Sequence, residues 1–147
     1  METKSAPLAQ RMTVLLADDD PQVCSAIRLI LEQEAETEVI GEAVDGQSLF
    51  KLLSECCKGN NVPGGNAIQE SEKEAQQFIL LLDWELPDFK SLDQIPDLRT
   101  AYPGLIIVAL SVQTEARQNA LASGVDAFVS KSDPPDQVMA KLHALLR

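Results

Sequence analysis

Polar side chains with the chemistry of a phosphate and metal site follow several apolar runs of the sequence. Asp83 ends the clearest run, because Phe78–Leu82 holds five apolar residues and leads directly into this lone carboxylate. Such a run is typical of a strand buried on both faces. Open α/β sheets bind ligands outside the carboxyl ends of their strands, so these groups are predicted to meet at one edge. The full set is Asp18, Asp19, Asp83, Ser111 and Lys131.

The chemistry that these groups share is the binding of a divalent cation and a phosphoryl group. Three carboxylates held close together repel one another unless a cation lies among them. Hard oxygen ligands with open positions suit Mg²⁺, which takes its remaining ligands from water and phosphate. A lysine and a hydroxyl can hold phosphoryl oxygens, and an aspartate can itself be the nucleophile. Neither a GxGxxG nor a GxxxxGK(S/T) loop occurs, so nucleotide binding is poorly supported.

Predicted strands and helices alternate along the chain, which indicates a three-layer α/β domain with a parallel five-stranded sheet. Asp20 is a good N-cap and Pro21 a good first residue for the first helix, whereas Pro96 weakens the third helix. The predicted strands are Thr13–Ala17, Glu38–Ala43, Phe78–Asp83, Leu105–Ser111 and Ala127–Ser130. The later predicted helices are Gly46–Cys57, Ser91–Thr100, Thr114–Ser123 and Pro134–Leu146.

The length of 147 residues suits one domain with its own core. Residues 1–12 are predicted to be a flexible leader, and residues 13–147 form the domain. Residues 58–76 contain three of the seven glycines and few apolar side chains, so an insertion loop is predicted there.

Composition excludes several classes of function. The formal charge of −11 argues against direct nucleic-acid binding, which needs a surplus of Lys and Arg. No stretch approaches the length of a membrane span, and the start lacks a signal-peptide core, so a cytoplasmic location is expected. The three cysteines fit neither a disulfide framework nor a zinc spacing. His143, the only histidine, lies on the last predicted helix and is not expected to be catalytic.

Four pieces of the sequence, taken in order, resemble the receiver domains of two-component response regulators, the CheY-like superfamily. The pieces are Val14–Pro21, Leu80–Pro87, Ile107–Ser111 and Ala122–Lys131, each at a predicted strand end. The resemblance extends from Thr13 to Leu146. It implies a flavodoxin-like (βα)₅ fold, in which a parallel sheet of order 2-1-3-4-5 is flanked by helices.

The resemblance implies a role for each acid of the set. Asp83 is the expected acceptor of a phosphoryl group from a histidine kinase. Asp19 and Asp83 are the expected direct ligands of Mg²⁺, and Asp18 acts partly through water. The backbone carbonyl of Glu85 completes the ligands that the protein provides.

The resemblance also implies how the signal is read. Ser111 and Lys131 are expected to hold the phosphoryl oxygens. The Ser111 hydroxyl then moves toward the phosphate, and the aromatic ring of Phe128 swings inward. The face formed by the fourth helix, fifth strand and fifth helix changes its partners, which is a population shift biased by phosphate.

Some positions depart from the usual pattern of the family. Val112 replaces the customary Ala or Gly after the hydroxyl, and its β-branched side chain is expected to narrow access to Asp83. Glu85 adds a carboxylate two residues past the acceptor, which repels a phosphoryl group if it points inward. Ser91 stands where a glycine is expected, and Ser132 where a proline is frequent.

The favoured function is therefore a phosphorylation-dependent signalling switch that promotes only its own phosphorylation and dephosphorylation. Its expected partners are a sensor histidine kinase and a downstream protein or an output domain on another chain. Homodimerisation through the fourth or fifth helix is a hypothesis taken from the resemblance. No nucleic acid or membrane is expected as a direct partner.

Two alternatives remain open at this point. A degenerate receiver can act as a binding module without phosphorylation, and Val112 and Glu85 are the arguments for it. A haloacid-dehalogenase-like phosphatase has a similar order of Asp-x-Asp, Ser and Lys, which Asp18–Asp20, Ser111 and Lys131 imitate. That family needs an acidic pair after the lysine strand, and it leaves Asp83 without a role.

Overall fold

The computed structural model describes residues 11–56 and 76–146, in which five strands and five α-helices alternate. The strands are β1 (Arg11–Ala17), β2 (Thr37–Ala43), β3 (Gln76–Asp83), β4 (Ile106–Ser111) and β5 (Ala127–Ser130). The helices are α1 (Pro21–Leu31), α2 (Gly46–Cys56), α3 (Ser91–Ala101), α4 (Arg117–Ser123) and α5 (Pro135–Leu145). No helix in these two ranges is long and apolar enough to cross a membrane.

The strands form one parallel sheet of order β2-β1-β3-β4-β5, which confirms the predicted flavodoxin-like topology. The register aligns Ala17 with Leu82, Asp83 with Leu110, and Ser111 with Ser130. The chain segments that follow β1, β3, β4 and β5 therefore leave the sheet side by side. This alignment is what brings the predicted site residues to one edge.

The centre of the sheet is buried on both faces, which explains the unbroken apolar runs of β3 and β4. Leu80 and Leu82 pack into the cluster on the side of α2, α3 and α4. Ile79 and Leu81 pack on the opposite side, with residues of α1 and α5. Alternate side chains of one strand thus complete two separate cores, and the strand cannot slip by one residue.

The N-termini of the first two helices have well-formed caps. Asp20 accepts a hydrogen bond from the Gln22 N–H, and Pro21 begins α1, as predicted. Before α2, Asp45 Oδ1 accepts from the Ser48 N–H at 2.8 Å, and Ser48 Oγ lies 3.2 Å from the Asp45 nitrogen. This reciprocal arrangement is a capping box, which the Asp-x-x-Ser spacing contains but the sequence analysis missed.

Two helices differ in detail from the sequence predictions. α3 keeps eleven residues although Pro96 lies inside it, because Ile95 and Leu98 are buried and tertiary packing outweighs the proline. The segment predicted as one helix from Thr114 instead begins with a 3₁₀ turn, and the α-helix proper starts at Arg117. Gly124 ends it with φ of +117°, a conformation that favours glycine.

The predicted leader and insertion loop lie mostly outside the described residues. Where they can be compared, β1 begins at Arg11, two residues before the predicted start of the domain at residue 13. Likewise, β3 begins at Gln76, which the sequence predicts to be the last residue of the loop of residues 58–76. In both cases the strand starts at a polar residue before its apolar part. The apolar run alone therefore does not reveal where the strand begins.

Candidate functional site

Three carboxylates meet at the carboxyl edge of the sheet, as predicted. One oxygen of each of Asp18, Asp19 and Asp83 lies within 4.8 Å of the others. Asp18 and Asp83 are buried, each only 3% exposed, whereas Asp19 is open to solvent. The ends of β1 and β3 position the cluster, because these strands are adjacent in the sheet.

Lys131 supplies the positive charge opposite the acids. Its Nζ atom lies 2.8 Å from Asp18 Oδ2 and 3.3 Å from Asp83 Oδ1. The backbone of the lysine is fixed as well, since its N–H donates to the Ser111 carbonyl at 2.9 Å. Burial lowers the pKa of the Lys131 ammonium, but the two carboxylates outweigh burial and the net pKa is raised. The lysine is therefore charged at neutral pH.

The surroundings of Asp83 make ionisation of its carboxyl less favourable and raise its pKa. Burial raises the pKa of its carboxyl, and the nearby Asp18 carboxylate raises it further. A hydrogen bond from the Glu85 N–H at 3.0 Å and the Lys131 ammonium lower the pKa without cancelling the increase. Both of these contacts fall on Oδ1. Oδ2 is therefore the oxygen of Asp83 that neither group engages.

The acidic cluster fits a hard divalent cation. Asp18 Oδ1 accepts from the Asp20 N–H at 2.9 Å, and the buried Oδ2 lies 2.8 Å from the Lys131 ammonium. Clustered carboxylate oxygens are hard ligands of the kind that Mg²⁺ prefers, and the exposed Asp19 leaves room for water ligands. The backbone carbonyl of Glu85 as a further ligand stays a prediction.

Ser111 is fully buried at the end of β4, and its hydroxyl already has partners. Its Oγ lies 3.1 and 3.0 Å from the two carboxylate oxygens of Glu85, to which it donates. It accepts from the Gln113 N–H at 2.9 Å. The sequence indicates that the Glu85 side chain is a source of repulsion, but it does not predict this contact. The two residues lie far apart in the chain, and their spacing carries no signal for it.

The loop after Asp83 is fixed by hydrogen bonds and by close packing against α2. The Trp84 N–H donates to the Leu110 carbonyl at 2.7 Å, and Ser91 Oγ donates to the Trp84 carbonyl at 2.9 Å. Ser91, which departs from the expected glycine, thus has a structural use. Gly46 closes the loop on the α2 side, since a Cβ atom there would lie 1.8 Å from the Asp88 carbonyl oxygen.

The other residues singled out by the sequence do not join the acidic cluster. Phe128 is buried in the core cluster beneath α3 and α4. Val112 follows Ser111 but is 64% exposed, so most of its side chain faces solvent. The expectation that Val112 narrows access to Asp83 gains no support from this orientation. His143 lies on α5 beside Glu34, away from the acidic cluster.

Comparisons with known proteins agree with this fold and site. The probable transcriptional regulatory protein TcrX of Mycobacterium tuberculosis is 30% identical over 140 residues, covering 94% of this chain and 51% of that protein. The receiver domain of the stress response regulator RcsB from Escherichia coli, in non-phosphorylated form, superposes with a TM-score of 0.69. It is 25% identical, and the match covers 92% of both chains. The chain is a receiver domain of the response-regulator family. No family model matches it.

This receiver domain spans about half the length of the curated relatives that it matches. The DNA-binding response regulator MtrA of Mycolicibacterium smegmatis, for example, is 28% identical over 93% of this chain but only 51% of MtrA. DNA binding is a property of that whole protein. Receiver domains act as signalling switches, and this is the broad function of the part described here.

Similarity to response regulators favours the receiver interpretation over the phosphatase alternative. That alternative uses Asp18–Asp20 as its Asp-x-Asp motif. In the structure, Asp20 is exposed and its carboxylate caps α1. Its role is therefore accounted for by the helix that it begins.

Proposed function

We propose that this receiver domain is a Mg²⁺-dependent switch that accepts a phosphoryl group on Asp83. The observation that carries the proposal is the position of Asp83. Its carboxylate is buried among two further acids, with Oδ1 beside the Lys131 ammonium, and Oδ2 is engaged by neither Lys131 nor the Glu85 N–H. An aspartate in this setting is a nucleophile with its charge compensation already assembled.

In the proposed reaction, an Asp83 carboxylate oxygen attacks the phosphorus of the donor. The new O–P bond forms as the bond from phosphorus to the leaving nitrogen or oxygen breaks, and the electron pair departs with the leaving group. The product is an aspartyl phosphate, and later attack by water returns the carboxylate and inorganic phosphate. Phosphoryl transfer of this kind depends mainly on positioning and charge neutralisation.

Each side chain around Asp83 would contribute to positioning the phosphoryl group or neutralising its charge. Lys131, which contacts both buried acids, would move its ammonium toward a phosphoryl oxygen as negative charge arrives. Ser111 would donate its hydroxyl to a second oxygen. Asp18 and Asp19 would hold Mg²⁺ with Asp83, and the ion would supply neutralisation of the phosphoryl charge.

The proposed partners follow from the family. A sensor histidine kinase would be the phosphodonor, and a downstream protein or an output domain would read the phosphorylated state through the face formed by α4, β5 and α5. Homodimerisation through α4 or α5 is one form that this readout can take. The domain itself would promote only its own phosphorylation and dephosphorylation.

The test is intact-mass measurement after incubation with Mg²⁺ and acetyl phosphate. We expect the wild-type domain to gain the mass of one phosphoryl group, and Asp83→Asn to gain none. Asp136→Asn, which makes the same change at an exposed acid on α5, serves as the matched control and should behave as wild type. Phosphorylation of Asp83→Asn, or none of the wild type under any Mg²⁺ concentration, would reject the proposal.

A second candidate function is a binding module that does not depend on phosphorylation. The observation that favours it is the Glu85 carboxylate on the Ser111 hydroxyl, which occupies a group that the switch mechanism needs. In that case Mg²⁺ can still alter the fluorescence of Trp84, but no phosphoryl mass is gained.

A further inference from the structure

The contact between Glu85 and Ser111 links the loop after β3 to the end of β4 at the acidic edge of the sheet. Glu85 lies two residues after Asp83, and its own N–H donates to Asp83 Oδ1 at 3.0 Å. Its side chain crosses to the end of β4, where both carboxylate oxygens lie within 3.1 Å of Ser111 Oγ. One residue therefore touches the proposed nucleophile with its backbone and the proposed phosphoryl-binding hydroxyl with its side chain.

A serine hydroxyl has one proton to donate. Here that proton is directed to Glu85, and the Gln113 N–H occupies a lone pair of the same oxygen. A phosphoryl oxygen that needs the Ser111 proton must therefore displace the carboxylate. Hydrogen bonds to a charged acceptor are stronger than neutral ones, so the displacement has a cost.

We propose that the Glu85 carboxylate is an internal competitor of the phosphoryl group for the Ser111 hydroxyl. The inference rests on the proposed function, and it assigns the side chain of Glu85 a regulatory role in the same site. Glu85 thereby sets how readily the domain is phosphorylated, because phosphoryl transfer must break an existing hydrogen bond. The two anions do not share the hydroxyl, since both need the same proton and repel each other.

The Glu85 carboxylate can move away from Ser111 without disturbing the core. Glu85 as a residue is exposed, although Ser111 is fully buried, so the carboxylate can rotate into solvent without unpacking the core. The Ser111 hydroxyl, at the end of β4, also accepts from the Gln113 N–H. Displacement of the competitor therefore requires only rotation of the Glu85 side chain.

The test measures initial rates of phosphorylation by acetyl phosphate in saturating Mg²⁺, by intact mass. We expect Glu85→Ala to be phosphorylated about tenfold faster than wild type, the order of effect of one hydrogen bond to a charged group. Glu85→Gln, which keeps an acceptor oxygen but loses the charge, should fall between the two. Glu115→Ala removes an equal charge from an exposed residue after Ser111 and serves as the matched control, with less than about a twofold change.

A double-mutant cycle separates competition from simple repulsion. In a Ser111→Ala background there is no hydroxyl to donate to Glu85. Glu85→Ala should therefore change the phosphorylation rate by less than about twofold. An equal acceleration in both backgrounds would show that Glu85 acts through charge alone and would overturn the inference. Affinity for beryllofluoride with Mg²⁺, followed by Trp84 fluorescence, should rank the variants in the same order.

The failures of the two proposals are distinguishable. A wild-type domain that is phosphorylated at a rate unchanged in Glu85→Ala refutes the competitor and leaves the proposed function intact. Phosphorylation of Glu85→Ala but not of wild type rejects the proposed function for the native sequence and still supports the assignment of Glu85 as competitor. If wild type and Glu85→Ala both gain no mass and bind no beryllofluoride, both proposals are wrong.

Discussion

At the scale of single residues, burial of Asp83 has a consequence for stability. The pKa of the buried Asp83 carboxyl is raised in the folded protein, chiefly because burial penalises the charged form. A folded-state pKa above the unfolded value means that the folded state binds the proton more tightly. The associated stability is present below the unfolded pKa, about 3.9 for aspartate, and is lost as pH rises through the folded pKa. The ionised Asp83 therefore destabilises the metal-free domain at neutral pH.

We accordingly predict that Asp83→Asn increases the free energy of unfolding of the metal-free domain at pH 7. Asparagine is similar in shape and never ionises, so it avoids the cost of a buried charge. The difference from wild type should narrow as pH falls toward the ordinary aspartate range. Urea denaturation in the presence of a chelator, repeated across pH, measures both effects. A variant less stable than wild type at every pH would mean that the Lys131 contact outweighs burial.

The positions of the candidate site residues were largely predictable, and their contacts were not. Asp83 and Ser111 are the last residues of β3 and β4. Asp18 and Asp19 follow β1, and Lys131 follows β5. Strand ends of this kind can be located from apolar runs alone. The contact of Glu85 with Ser111 depends on how one flexible side chain crosses from the loop after β3 to the end of β4. No periodicity or spacing in the chain encodes that choice.

At the scale of elements, one arginine ties α3 to the segment that leads into β5. Arg99 donates through Nε to the Gly124 carbonyl at 2.9 Å and pairs with Asp126. Asp126 also accepts from the Ile107 N–H at 2.8 Å. This network is not predictable from the sequence, because its partners lie in α3, in β4 and in the segment before β5. It matters for the site because β5 leads directly into Lys131.

We predict that Arg99→Met lowers the free energy of unfolding by about 1.5–3 kcal/mol, the range for hydrogen bonds to charged groups. Methionine keeps much of the apolar stem while removing the donors. Arg28→Met is the matched control, because Arg28 pairs with Glu32 and Glu42 on an exposed surface. Its loss should cost less than about 1 kcal/mol. Equal effects of the two substitutions in urea denaturation would contradict the structural role of the Arg99 network.

The elements themselves were predictable to within a few residues where apolar periodicity is strong. α1 and β5 begin as predicted, since a cap with proline and a short apolar run mark them clearly. The segment before α4 was less predictable, because Ala120 is the only buried residue of that helix. A helix with so little apolar face has weak periodicity, and its first turn can become 3₁₀ without losing packing.

At the scale of the whole molecule, the net charge of the chain and the local charge of the site are both negative, and both favour the binding of a cation. The chain carries a formal charge of −11, and three acids converge at one edge of the sheet. Binding of a divalent cation there would relieve local repulsion in the folded state and not in the unfolded chain. Any ligand that binds only the folded state stabilises it, in proportion to the logarithm of ligand concentration over Kd.

We therefore predict that Mg²⁺ raises the Tm of the wild-type domain. At a concentration 100 times Kd the stabilisation is about 2.7 kcal/mol, which corresponds to a rise of roughly 5–10 °C for a domain of this size. Asp83→Asn, which removes one of the three acids, should show a much smaller rise, and Asp136→Asn should match wild type. Thermal unfolding at constant ionic strength, with Mg²⁺ replaced by Na⁺ in the reference, separates specific binding from screening. An equal rise in Asp83→Asn would place the cation elsewhere on this acidic surface and would contradict the assignment of the cluster.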